Sequence, residues 1–300
     1  MIRCRRRLTL RKTQIASINE QIKEISATQA ETNKFMSNLE KKIHLMRTNL
    51  IKPKIDNSKK AVTSSDGKLD MVIAFDTTGS MSCYIDSVRA HITELIPKLF
   101  STNPNLRIGI VAFGDYCDMP NKYIFGSAYQ VLDLTNDEKK IIDFVKKAQR
   151  TSGGDNDEFY ELVIKKITEE TSWREDSTKA VLLIADAAPH RVGYSYMDRV
   201  QNNQIDWREE ARKAALKGIK FDTLTIDRTE WYKELSSMTN GIQAPFKNNR
   251  KTSQLIEAAT LARGGERTKE LYKANMNSVI NSSDTELTAV YVAYSKEVIF

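Results

Sequence analysis

Cysteine is scarce in this chain of 300 residues: Cys4, Cys83 and Cys117 are three in number, far apart and without any CxxC spacing. That pattern supports neither a disulfide framework nor a thiolate zinc site, and it fits a reducing compartment. No stretch approaches the ~20 consecutive apolar residues of a membrane-spanning helix, and the N-terminus lacks the apolar core of a secretory signal. A soluble, cytoplasmic protein is therefore expected. Glycine signatures for phosphate binding are missing as well. Gly79 stands alone, and no GxGxxG or GxxxxGK follows a strand. Gly264 and Gly265 come after a helix and suit a C-cap.

Charge is present but unevenly placed. Of 46 Lys+Arg and 39 Asp+Glu, residues 1–60 hold 15 and 5, which leaves 31 basic and 34 acidic residues for the remainder. The net +7 thus belongs to an N-terminal arm. Its cluster Arg3, Arg5, Arg6, Arg7, Arg11 and Lys12 suits nucleic acid, an acidic membrane face or an import receptor, or simply a solvated helix end. No acid precedes Glu20, as in a transit peptide, but the long polar segment behind argues against one. From Ile15 to Leu50 the positions Ile15, Ile18, Ile22, Ile25, Gln29, Thr32, Met36, Leu39, Ile43, Met46 and Leu50 alternate three- and four-residue steps. Such heptads predict an α-helical coiled coil, which with the basic N-terminus makes up residues 1–51, and hence a homo-oligomer, with a lone amphipathic helix as the other reading. Residues 52–68, with Pro53, three serines and Gly67, read as a linker.

Beyond the linker, apolar runs alternate with helical periodicity. Leu69 to Phe75, Leu106 to Phe113, Ala180 to Ala185 and Lys220 to Ile226 predict buried strands, with weaker ones at Tyr129 to Leu134 and Ile242 to Phe246. Helices are predicted at Met81 to Phe100, Asp137 to Gln149, Glu158 to Thr171, Ile205 to Lys217, Trp231 to Met238 and Ser253 to Arg263. This order implies an α/β fold, a doubly wound, mostly parallel central sheet flanked by helices. In the extension 264–300, Lys269 to Ile280 reads as a helix and Thr288 to Tyr294 alternates like a strand.

The segment Met71–Ser82, MVIAFDTTGSMS, brings Asp76, Thr78 and Ser80 to a turn at the carboxyl end of a central strand, the edge where open α/β sheets bind ligands. One carboxylate and two hydroxyls at alternate positions suit a hard divalent cation such as Mg2+. Two further oxygen-rich segments fall at predicted strand edges: the loop Thr151 to Glu158 and the run Val181 to Ala185, which ends in Asp186. The other reading of the turn is a helix start capped by Thr78 or Ser80.

Together these segments resemble a von Willebrand factor type A domain over residues 69–263, with Asp76, Thr78 and Ser80 matching its DxSxS turn. The resemblance implies a metal-ion-dependent adhesion site. Asp186 would be its later Asp, and Asp155 or Asp157 would replace the second-loop hydroxyl, with Thr151 the weaker choice. It further implies Mg2+ or Mn2+ as cofactor, a protein partner presenting Asp or Glu, and no catalysis. The chain looks most similar to the type A domains of alpha-kinase proteins, yet only 37 residues follow Arg263, too few for a kinase module. Dehalogenase-like phosphohydrolases also place an Asp after a first buried strand. They need a second Asp two residues on, and Thr78 stands there. His190 is read as a rim or solvated loop histidine, Trp173, Trp207 and Trp231 as helix-packing residues, and Gly114 to Asn121 as a bordering loop without assigned chemistry.

Overall fold

Strand β1 (Leu69–Asp76) reads LDMVIAFD and is buried along its whole length. The computed structural model describes residues 67–300 apart from 201, 202, 227–229, 246, 299 and 300. The basic arm, the heptad segment and nearly all of the expected linker lie outside the described residues. Burial on both faces explains why β1 lacks a polar alternation. Leu69, Met71, Ile73 and Phe75 enter one apolar core, and Val72 and Ala74 enter the other.

The helix α1 (Ser82–Thr102) leads to β2 (Leu106–Phe113), β3 (Tyr129–Thr135) and α2 (Glu138–Lys147). The short β4 (Asp157–Glu158), α3 (Tyr160–Glu170), β5 (Thr178–Ala185) and the short β6 (Ala188–Pro189) follow. Then come α4 (Trp207–Leu216), β7 (Ile219–Thr225), α5 (Glu230–Met238), β8 (Gln243–Pro245), α6 (Thr252–Arg263), α7 (Glu266–Asn281) and α8 (Thr285–Val298). The six-stranded sheet has the order β3-β2-β1-β5-β7-β8 and is parallel except for the edge pair β2–β3. One core packs α1, α2 and α6 to α8 on the sheet, and the second packs α3, α4 and α5 on the other face. The expected α/β architecture with a mostly parallel, helix-flanked sheet is what forms.

Two local readings change. The segment Thr288 to Tyr294, expected as a strand, lies inside α8. Leu287, Val290, Tyr291, Tyr294 and Val298 form its buried stripe at helical spacing, so packing against the core overrides the β-propensity of the aromatic and branched residues. Glu158, expected to open a helix, is instead in β4. That strand pairs in parallel with β6, Asp157 beside Ala188 and Glu158 beside Pro189, and α3 begins only at Tyr160. The loop after α2 is thereby tied to the segment just beyond Asp186.

Candidate functional site

The carboxyl edge of the sheet carries the site, and β1 positions its first residue. Asp76 is fully buried. Its Oδ1 accepts the Thr78 N–H at 2.8 Å and the Thr78 hydroxyl at 2.6 Å, while Oδ2 accepts the Tyr160 hydroxyl at 2.6 Å. Thr78 donates its only hydroxyl proton to Asp76, so the lone pairs of that oxygen remain available to a cation. Burial outweighs the three hydrogen bonds and, helped by the charge of Asp186, pushes the Asp76 carboxyl up to about 7. Ser80 is exposed in the single turn Gly79–Met81.

Asp186 follows β5 directly. Because Phe75 pairs with Ile184 in the parallel register, continuing that register sets Asp76 beside Ala185 and Asp186 one step further on. Tyr160 links the two: its hydroxyl, bonded to Asp76, also accepts the Ala187 N–H at 3.3 Å. The Ala187 carbonyl is held in turn by the Trp231 indole at 2.9 Å and the Tyr232 hydroxyl at 2.6 Å. Trp231 thus fixes the rim as well as packing a helix.

Thr77, between the two predicted ligands, ties the ends of β1 and β2 to the loop after α2. Its hydroxyl donates to the Phe113 carbonyl at 2.8 Å and lies 2.8 Å from the Thr151 hydroxyl, and its carbonyl accepts the Thr151 N–H at 3.0 Å. Thr151 is therefore engaged by the turn. Gly114 is required nearby, since a Cβ there would collide with the Thr151 side chain. Asp118 shapes the loop after α2, accepting the N–H groups of Ser152 at 2.8 Å and Gly153 at 3.2 Å.

That loop sends its acids in two directions. Asp155 is exposed, accepts the Tyr194 hydroxyl at 3.1 Å and belongs to a group with Asp115 and His190, whose ligand atoms all lie within 4.8 Å of one another. Asp157 feels the charges of His190, Asp155 and Asp115, and burial raises its pKa. Glu158 is buried, and burial together with the charges of Asp76, Asp115, Asp118 and Asp155 pushes it up to about 10. Of the predicted ligands, Asp76 and Thr78 are joined directly and Asp186 sits one backbone link away. Asp155 stands with Asp115 and His190.

His190 is a buried rim residue and not a solvated one. Its Nε2 lies 2.6 Å from Asp115 Oδ1, its N–H donates to Glu161 at 3.1 Å, and its ring stacks on Tyr194 at 3.6 Å. Burial opposes charge on the ring, but Asp115, Glu161 and Asp155 outweigh it and raise its pKa. Asp115, Asp155 and His190 could hold a metal. Sequence reasoning gave no role to Asp115, Glu158 or Tyr160. Asp115 and His190 are 75 positions apart, and only the fold joins them. Acid and hydroxyl oxygens at one rim fit a hard divalent cation, as the donor chemistry of Asp76, Thr78, Ser80 and Asp186 requires. A nitrogen ligand at His190 would also suit a borderline transition metal.

A family model described as the von Willebrand factor type A domain matches residues 70–260. An ariadne-like RING finger protein of Acanthamoeba polyphaga mimivirus is 25% identical over 185 residues, covering 58% of this chain and 18% of that protein. Two crystal structures of the pilus adhesin SpaC from Lactobacillus rhamnosus GG, one in an open conformation, superpose with TM-scores of 0.49 and 0.47 at 12% and 14% identity. They cover 67% of this chain and 31% and 30% of the adhesin. The chain thus spans only a minor part of the length of each of these proteins. A special likeness to alpha-kinase proteins gains no support from these relatives.

Proposed function

Because the chain belongs to the von Willebrand factor type A domain family, matched over more than half its length, we propose that it is a non-enzymatic, divalent-cation-dependent protein-binding module. Mg2+ or Mn2+ would be held at the turn Asp76, Thr78, Ser80 with Asp186, and a partner would complete the shell with an oxygen of its own. The observation that carries this reading is the Asp76–Thr78 pair, in which the Thr78 hydroxyl gives its proton to a buried carboxylate and keeps its lone pairs for a cation. The bonds from Tyr160 to Asp76 and to the Ala187 N–H support Asp186 as a member of the same shell. Exposed Tyr123, Ile124, Val192 and Met197 on the rim loops, which Arg199 ties together by donating to the Met119 carbonyl at 2.7 Å, offer apolar contact area around it.

Multimerisation by the heptad segment would raise apparent affinity through effective concentration, even where each contact is weak. The cysteine pattern supports a cytoplasmic setting. A phosphohydrolase reading fares worse, because the residue two beyond Asp76 is Thr78, already a donor to Asp76 and unable to titrate near neutral pH.

Immobilised full-length chain should retain specific proteins from native lysate with Mg2+, release them with chelator, and lose them on Asp76→Ala. It should release no phosphate from an aryl phosphate. Retention that survives both chelator and Asp76→Ala would make the chain a metal-independent scaffold.

A further inference from the structure

Among the described residues, one rim carboxylate has an oxygen that is both inaccessible and unpartnered. Glu158 is 4% exposed, and its Oε2 makes no hydrogen bond. Buried carboxylate oxygens are rarely left so, because desolvation then goes uncompensated; such an atom marks a missing donor or ion.

The backbone places this carboxylate deliberately. Strand β4 sets Glu158 beside Pro189, just past Asp186. Gly153 leaves the space on its other side: with φ +69 it adopts a left-handed conformation, and a Cβ there would lie 2.7 Å from Glu158 Oε1 and 3.4 Å from the Thr78 methyl. Glu158 and Thr78 therefore approach each other across a residue without a side chain. Among the charges acting on Glu158, that of Asp76 is the strongest. Asp155, by contrast, is turned toward Tyr194, Asp115 and His190.

We propose that Glu158, and neither Asp155 nor Asp157, is the oxygen that the loop after α2 contributes to the cation bound by Asp76, Thr78, Ser80 and Asp186. The inference rests on the cation-site reading above and adds a residue to it. A bound dication supplies the partner that Oε2 lacks, and Glu158 supplies a third carboxylate to the shell.

Calorimetric titration of Mn2+ into the metal-free full-length chain tests this with four proteins. Wild type is expected to bind, and Asp76→Asn to lose binding. Glu158→Gln should weaken it by about tenfold or more, while Asp157→Asn, which lies outside the group of Asp115, Asp155 and His190, stays within about twofold of wild type. Wild-type affinity in Glu158→Gln, or a loss confined to Asp157→Asn, overturns the assignment while leaving the cation site standing. Wild-type affinity in Asp76→Asn overturns the cation site itself, and the role of Glu158 with it. Thermal unfolding separates ligation from folding. In chelator, Glu158→Gln should unfold at or above the wild-type temperature, since it removes an uncompensated buried acid, and its increment with Mn2+ should be smaller. Equal destabilisation with and without Mn2+ would make Glu158 a structural residue and overturn the proposal.

Discussion

Asp70 and Asp76 occupy opposite ends of β1, both fully buried, and are held by opposite means. Asp76 has only neutral donors. Asp70 receives Arg107 at 2.9 and 2.7 Å, the Arg174 N–H at 2.8 Å, the Arg174 side chain at 3.0 Å and Ser177 at 2.9 Å. Burial pushes the Asp70 carboxyl up, but these bonds, Arg107's first, outweigh it and hold the pKa below the ordinary carboxylate value. A depressed folded-state pKa means that the stabilisation is complete above the unfolded value of 3.8 and is lost as pH falls below it. Asp70→Asn should therefore cost stability at pH 7. Breaking a buried pair costs about 3–5 kcal/mol, and the partial exposure of both arginines places the loss at or below the low end. Urea unfolding at pH 7 and pH 3 checks this: wild type should lose more stability than the variant over that interval, and parallel profiles would refute the linkage. At this scale the sequence showed the Asp76 turn, because its donors are local. It did not show Glu158, whose place in the run of helical periodicity hid a two-residue strand. A third carboxylate also alters the partner expected from the resemblance: Asp76, Asp186 and Glu158 together more than balance a dication, which weakens its attraction for an acidic group.

At the scale of elements, β1, β2 and β5 were legible because parallel strands buried on both faces read as near-continuous apolar runs. The C-terminal helix α8 was not, since its aromatic and branched residues satisfy a period of two over a short window and only the partner surface selects the helix. That surface includes an ionic clamp. Arg263, at the end of α6, donates Nε to Asp222 of β7 at 2.9 Å and also pairs with Glu297 of α8. Asp222 and Arg263 are both buried, and Asp222 additionally accepts the Ile242 N–H at 2.8 Å ahead of β8. Arg263→Met leaves that carboxylate uncompensated and should cost about 3–5 kcal/mol. The double variant Asp222→Asn/Arg263→Met should lose less than Arg263→Met alone, because a side-chain amide in place of the Asp222 carboxylate keeps an acceptor for the Ile242 N–H without the charge. Denaturant midpoints of the two variants decide it, and simple additivity would show that the pair is not coupled.

For the molecule as a whole, the rim concentrates acids that the fold itself does not neutralise. Asp76, Asp157 and Glu158 all have raised pKa values, with burial the leading cause in each case. At the opposite edge Asp70 is instead neutralised from within by two arginines. A dication bound at the rim by the folded state alone should stabilise the domain through mass action. At a free concentration one hundred times its dissociation constant the gain is about 2.7 kcal/mol. For a domain of this size each kcal/mol raises the melting temperature by about 2–4 °C, so Mg2+ or Mn2+ should shift it upward by about 5–10 °C. Excess chelator should reverse the shift, and Asp76→Asn should abolish it. Asp70→Asn, far from the rim, should melt lower yet keep the full increment, which separates loss of the cation from loss of the fold. A melting temperature that ignores both cation and chelator at these concentrations would mean that the acidic rim is held by protein contacts alone.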